Sequence, residues 1–315
     1  MQVRDLIRRY GLEVIPLLSN LRYQRALPNA NVWFVDSGAT NAMNADDGIH
    51  GMSWETPFAG IDYAVGFCTA NNGDIILVAP GHNEGLGNGV SIDVDVAGVT
   101  VLGLGVGSER PRIDFDHAGA SFDVGASNVA IYNLAFLPSV TTVPIGVDVE
   151  AGATDVLIQD CVFLAGEDGA GVDEFVLCID VKAGCSNLKV KDCEFVTHAS
   201  AAHSTHGIKL TGASDRVSIV NCILRGTFST ACIGGDTTLS TNVLIQDCLL
   251  APKNTEPGIE MLTGTTGCIV RCFVRSDLTT IAAAIVADAM ARFECYYSET
   301  GAEAGVLIGT PSAND

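Results

Sequence analysis

Short apolar segments of period two recur along the chain, and each is broken at the same place by a small or polar residue. Aligned on that break, they include "VTVLGLGV" (99–106), "VAIYNLAF" (129–136), "VLIQDCVF" (156–163), "LKVKDCEF" (188–195), "VSIVNCIL" (217–224), "VLIQDCLL" (243–250) and "GCIVRCFV" (267–274). The breaks fall at Gly103, Asn133, Asp160, Asp192, Asn221, Asp247 and Arg271, with spacings of 30, 27, 32, 29, 26 and 24 residues. Recurrence at that period predicts a solenoid. In "VLIQDCVF", Val156 and Ile158 lie two apart and share one face of a strand. Ile158 and Cys161 are three apart, which reverses the face of a straight strand, and Cys161 and Phe163 are again two apart. All four point inward only if the chain turns a corner at Asp160. Asn, Asp and Gly tolerate the left-handed backbone that such a corner needs. Only Arg271 departs from those types. In "ARFECYYSE" (291–299), counting from Phe293 to Cys295 gives two, so the expectation is that the corner is lost there.

A weaker alternating segment precedes most repeats, as in "SFDVGAS" (121–127), "IGVDVEAG" (145–152), "LCIDVKAG" (177–184) and "GIKLTGAS" (207–214). Each repeat therefore supplies two or three short strands to one coil. At the start, "VWFVDSG" (32–38) reads as a strand, and Ser53 is expected to cap a helix that turns Ile61, Ala64 and Val65 inward. "GDIILVAPG" (73–81) reads as the first full rung.

The repeated V-x-I-x-(N/D)-C-x-F pattern resembles the right-handed, single-stranded parallel β-helix of the pectate-lyase-like superfamily, over roughly residues 70–310. The opening, "VWFVDSG…DDG…SWETPFAG", is similar to that of phage and environmental β-helix proteins. The resemblance implies an all-β solenoid, with residues 1–30 as a docking arm, 31–72 as an N-terminal strand and capping helix, and 73–315 as the β-helix. It also implies a homotrimer, as phage β-helix proteins are commonly trimeric.

Composition narrows the classes. Apolar residues make up 48% and charged residues 17%, which favours a packed core over disorder. The formal charge is −20, and no Lys or Arg occurs between Arg25 and Arg110. Such a body repels nucleic acid, whose phosphates need clustered cations. No apolar run approaches the ~18 residues of a membrane span. Without a signal-peptide pattern, the eleven cysteines are expected to be free thiols.

Few residues point to chemistry. Asp160, Asp192 and Asp247 alternate with Asn133 and Asn221 at one position, so turn geometry rather than acidity selects them. Cys161, Cys193, Cys222, Cys248 and Cys272 form a column one rung apart, about 4.8 Å. That is too far for disulfides and too straight for a tetrahedral zinc site, so the column reads as core filler. His198, His203 and His206 read as a solvated loop. Asp93 with Asp95, and Asp114 with Asp116, read as the polar outer faces of two strands; on one sheet they would form a calcium site or a glycosidase cleft. "GLGVG" (103–107) has no following helix and is no nucleotide loop.

The outward positions read as small and bland, and both tryptophans, Trp33 and Trp54, precede the solenoid. Together with that surface, the resemblance to phage β-helix proteins implies a non-enzymatic phage virion protein, a capsid decoration or cement protein assembled in the host cytoplasm and displayed on the virion surface. Its partners would be virion proteins, attached through Arg4, Leu6, Ile7, Arg8, Arg9 and Tyr10, with no cofactor, metal, nucleic acid or membrane. The alternative is a polysaccharide-degrading glycosidase or lyase, or a tailspike-like protein that binds a surface glycan.

Overall fold

The computed structural model describes residues 30–166, 173–198, 204–235, 238–276, 284–299 and 306–308. Most of the arm, including Arg4, Leu6, Ile7, Arg8, Arg9 and Tyr10, lies outside them. The described residues form an all-β parallel β-helix with one short α-helix, Ile61–Val65. No helix among them is long and apolar enough to cross a membrane.

Three sheets run the length of the coil, with ten, ten and eight strands. The first begins at Val32–Val35 and ends at Met290–Phe293, the second runs from Asn83–Leu86 past the corner, and the third from Ser91–Asp93 to Ile285–Val286. Neighbouring strands pair in parallel, except the antiparallel pairing of Cys295–Glu299 with Val306–Ile308. Register aligns the inward residues of the first sheet, so that Val101, Ile131, Ile158, Val190, Ile219, Ile245 and Ile269 stack rung on rung and are fully buried.

The corner between the first and second sheets is made by Asn133, Asp160, Asp192, Asn221, Asp247, Arg271 and Glu294, with φ between 48° and 56°. Their side chains tie adjacent rungs together. The Asn133 amide donates to the carbonyls of Gly103 and Gly105 at 3.0 and 2.8 Å, and the Asn221 amide donates to Asp192 at 2.7 Å. Arg271 bears a long side chain on left-handed backbone, but its guanidinium makes two hydrogen bonds to Asp247, at 2.7 and 2.8 Å.

The structure corrects the reading of the last repeat. Arg292, not Phe293, aligns with the inward Ile269, so Cys295 is three residues on and Glu294 makes the corner. The core position is merely taken by an arginine there. A second left-handed series, Asn128, Asp155, Asn187, Arg216 and Asn242, with φ of 53° to 59°, turns the chain into the first sheet five residues before each corner. The sequence reading missed it.

Past the corner, Cys161, Cys193, Cys222, Cys248, Cys272 and Cys295 are buried and lie one per rung. Each thiol donates to the carbonyl two residues earlier, at 3.3–3.5 Å. All eleven cysteines are free. Beside them Phe136, Phe163 and Phe195 stack at centroid distances of 4.8 Å, each pair adding about 0.5–1.5 kcal/mol beyond burial.

The N-terminal end is closed by the helix, whose Ile61, Ala64 and Val65 are buried as expected. Its cap differs from the expectation. Gly60 occupies the N-cap position, and Ser53 instead bridges to Thr56. The helix N–H of Ile61 is held by Glu84 at 3.0 Å, and those of Ala59 and Gly60 by Asn44 at 2.9 and 3.1 Å. A carboxylate from the first rung thus replaces the local serine cap.

Candidate functional site

On the third sheet, alternation puts Ile92, Phe122, Val147 and Ile179 inward, fully buried, and turns the next residue of each strand outward. Those next residues are all aspartates. Asp93 pairs in register with Asp123, Asp123 with Asp148, and Asp148 with Asp180; Lys209 follows on the next rung. Two residues further along their strands come Asp95, Glu150 and Lys182. Four carboxylates in one column at the rung spacing of about 4.8 Å repel one another.

The groups around the column divide it. The Ser121 hydroxyl donates to Asp123 at 2.7 Å. The Lys182 ammonium lies 2.6 Å from Asp180 and 3.4 Å from Asp148, and Thr211 donates to the other Asp180 oxygen. Asp148 is 8% exposed, and its Oδ1 is enclosed without a hydrogen-bond partner. Burial pushes the Asp148 carboxyl up to about 6, with Asp180 and Glu150 adding to the rise and Lys182 opposing it. Burial likewise pushes Asp123 up to about 6, with Asp93 and Glu150 adding to the rise against the Ser121 hydroxyl. Burial works against the charge of Lys182, but its bonds to Asp180 and Asp148 leave its pKa raised. Lys182 is therefore a fixed cation, while Asp123 and Asp148 keep their protons to higher pH than ordinary carboxylates.

One oxygen each from Asp123, Asp148 and Glu150 lies within 4.8 Å of the others. Three carboxylates from two neighbouring rungs make an all-oxygen donor set of the kind a calcium-sized cation takes.

The four acids singled out from sequence are not brought together. Asp93 lies in the third sheet and Asp114 in the second. Asp114 is instead held by Arg112, at 2.8 and 2.9 Å. The histidine stretch is not simply a solvated loop. His206 is a buried strand residue, 1% exposed, aligned with Leu177, and His203 lies outside the described residues. His198 donates its backbone N–H to the buried Glu174, which also holds Ser204. Asp160, Asp192 and Asp247 stay at the corner, away from the acid column. Asp123, Asp148, Glu150 and Asp180 were missed, although the aligned segments "SIDV", "SFDV", "GVDV" and "CIDV" share an aspartate in third place.

No protein-family model matches the chain, and no curated protein matches it. Solved structures do. A rhamnogalacturonan lyase is 11% identical with a TM-score of 0.56, covering 78% of this chain and 69% of its own. The pectate lyase Pel9A is 11% identical with a TM-score of 0.55, covering 88% and 79%. A GH136 lacto-N-biosidase from Eubacterium ramulus is 10% identical with a TM-score of 0.55, covering 94% of this chain and 59% of its own. At such identity the likeness is one of fold.

These findings correct the expectation of a non-enzymatic virion, capsid or decoration protein. That reading rested on a resemblance to phage β-helix proteins and on a bland outer surface, and the third sheet carries instead an acid column with two perturbed carboxylates and a convergent oxygen set.

Proposed function

We propose that this protein is a carbohydrate-active enzyme that cleaves a glycosidic bond on the acidic outer face of the third sheet. The observation that carries the reading is the pair Asp123 and Asp148, in register on adjacent rungs and both pushed up to about 6. Near that pH the singly protonated form of the pair is populated, and that form is the one general acid–base cleavage requires. The protonated member gives its proton to the glycosidic oxygen as the carbon–oxygen bond breaks. The ionised member attacks the anomeric carbon or takes a proton from the incoming water. One oxygen each of Asp123 and Asp148 lies within 4.8 Å of the other, nearer the roughly 5–5.5 Å between the carboxyl groups of retaining glycosidases than the wider gap of inverting ones, so retention of configuration is the expected outcome. The names of the three proteins of similar fold support a glycan as the substrate class.

The convergence of Asp123, Asp148 and Glu150 favours a second reading, in which these oxygens hold a divalent cation. The bare acid face repels a uronate polymer, whereas a cation there attracts its carboxylate and favours elimination, which leaves an unsaturated sugar and consumes no water. One assay separates the two. Neutral and uronate-containing polysaccharides are incubated with the protein in calcium or in chelator, and new reducing ends and unsaturated products are followed. Reducing ends alone, unaffected by chelator, support hydrolysis. Unsaturated products lost in chelator support the cation reading. No product from any glycan in either condition rejects the enzyme.

A further inference from the structure

Residues 26–181 hold 22 Asp and Glu but only two Lys or Arg, Arg110 and Arg112. Both line one cleft of about 390 Å³, together with Asn83, Ser108 and Leu164. It lies on the outer face of the second sheet, where Arg112 pairs in register with Asn83 and Ala135 while the intervening Ile113 and Phe136 point into the core. It is therefore on a different sheet from the acid column. Its volume is within the usual range of small-ligand sites, about 300–1,000 Å³.

The cleft exists because one corner is enlarged. Where later corners turn on a single residue, residues 104–111 separate the strands Thr100–Gly103 and Arg112–Phe115. This loop is held at both ends. Asn133 binds the carbonyls of Gly103 and Gly105, and the Gly81 N–H donates to the Glu109 carbonyl at 2.8 Å. Gly105 has φ of 95°, and a side chain there would stand 2.3 Å from the Glu109 carbonyl oxygen. The chain thus fixes a loop that brings Arg110 to the cleft that Arg112 also lines.

The two arginines differ in their partners. Arg112 is forked to Asp114. Arg110 has its Nε enclosed without an acceptor. A guanidinium cannot shed its proton, so an enclosed donor calls for an acceptor from outside the chain. Among the neighbouring acids, Asp160 at the corner lies within electrostatic reach of Arg110 but accepts no hydrogen bond from its Nε, and the others are engaged elsewhere. Glu84 is taken up by His82 and the Ile61 N–H, Asp114 by Arg112, and the Glu109 carboxylate lies over Gly81 at the rim.

We propose that this cleft binds a compact oxyanion, a carboxylate or sulfate group carried on a sugar, with Arg110 as its principal donor. Full-length protein is titrated calorimetrically with glucuronate, glucose 6-sulfate and glucose. The expected result is binding of one or both anionic sugars and none of glucose. Arg110→Gln should weaken that binding at least about tenfold, as loss of a charge-assisted bond does, without changing the melting temperature. Ser108→Asp, which sets a carboxylate in the exposed loop and leaves Arg110 in place, should abolish it. Asp123→Asn/Asp148→Asn should leave it unchanged, so the outcome is independent of glycan cleavage on the third sheet. Absence of anion binding, equal binding of glucose, or undiminished binding in folded Arg110→Gln or Ser108→Asp overturns the proposal.

Discussion

Asp123 and Asp148 share a side chain with Asp247, but their surroundings treat its charge in opposite ways. Asp247 at the corner is held below the usual carboxylate range by its bonds from Arg271 and then Gln246. Asp123 and Asp148 are pushed up to about 6, first by burial. The sign of the linkage follows. The folded state holds these two protons more tightly than the unfolded chain, so their ionisation costs stability as pH rises through the carboxylate range to about 6, and the cost stays constant above that. Replacing Asp148 by Asn should therefore raise the melting temperature by a few degrees, roughly, at pH 8 and not at pH 4, as calorimetry at the two values would record. A purely structural carboxylate would lose stability at both. The same variant should lower glycan cleavage by about a hundredfold or more. Why this site was hard to read is plain from the spacing. Asp93, Asp123, Asp148 and Asp180 lie 30, 25 and 32 residues apart, and only the parallel register sets them side by side. Their shared third place in the weaker repeats was the one available signal.

The coil's elements were far more legible, because their constraints are local. Left-handed backbone restricts the residue type at each corner, so Asn133, Asp160, Asp192, Asn221 and Asp247 stand out from the β-branched residues before them. Where the type gives no such signal the reading failed: Arg292 occupies an inward column and hid the corner at Glu294. The entry turns at Asn128, Asp155, Asn187 and Asn242 use the same chemistry but merged into the strand that follows. Asp160→Gly should be nearly neutral in urea unfolding, whereas Asp160→Val should cost about 1–2 kcal/mol from backbone strain alone. The thiol column makes a second expectation at this scale. The neighbouring Cys248 thiol, and then burial, push the Cys272 group up to about 12, and the other members of the column are buried as deeply. An aromatic disulfide reagent should label native protein only at the half-buried Cys268 and, more slowly, Cys68, and reach the rest after unfolding.

Across the whole molecule, a net charge of −20 is spread so that one outer sheet face concentrates acid while the two arginines of residues 26–181 share a cleft on another. Millimolar calcium should relieve the repulsion on the third sheet and raise the melting temperature, and Asp148→Asn/Glu150→Gln should remove most of that rise. The β-helix supplies what a polymer substrate needs, a straight face whose side chains repeat at about 4.8 Å. The central claim is that a glycan is cut where Asp123 and Asp148 meet on that face. Its most direct test is release of new reducing ends from neutral and uronate-containing polysaccharides at pH 6, comparing wild type with folded Asp123→Asn/Asp148→Asn. The account predicts cleavage of at least one glycan by the wild type and a loss of about a hundredfold or more in the double variant. Undiminished cleavage by the double variant, or a folded wild type that cuts none of them with or without calcium, would contradict it.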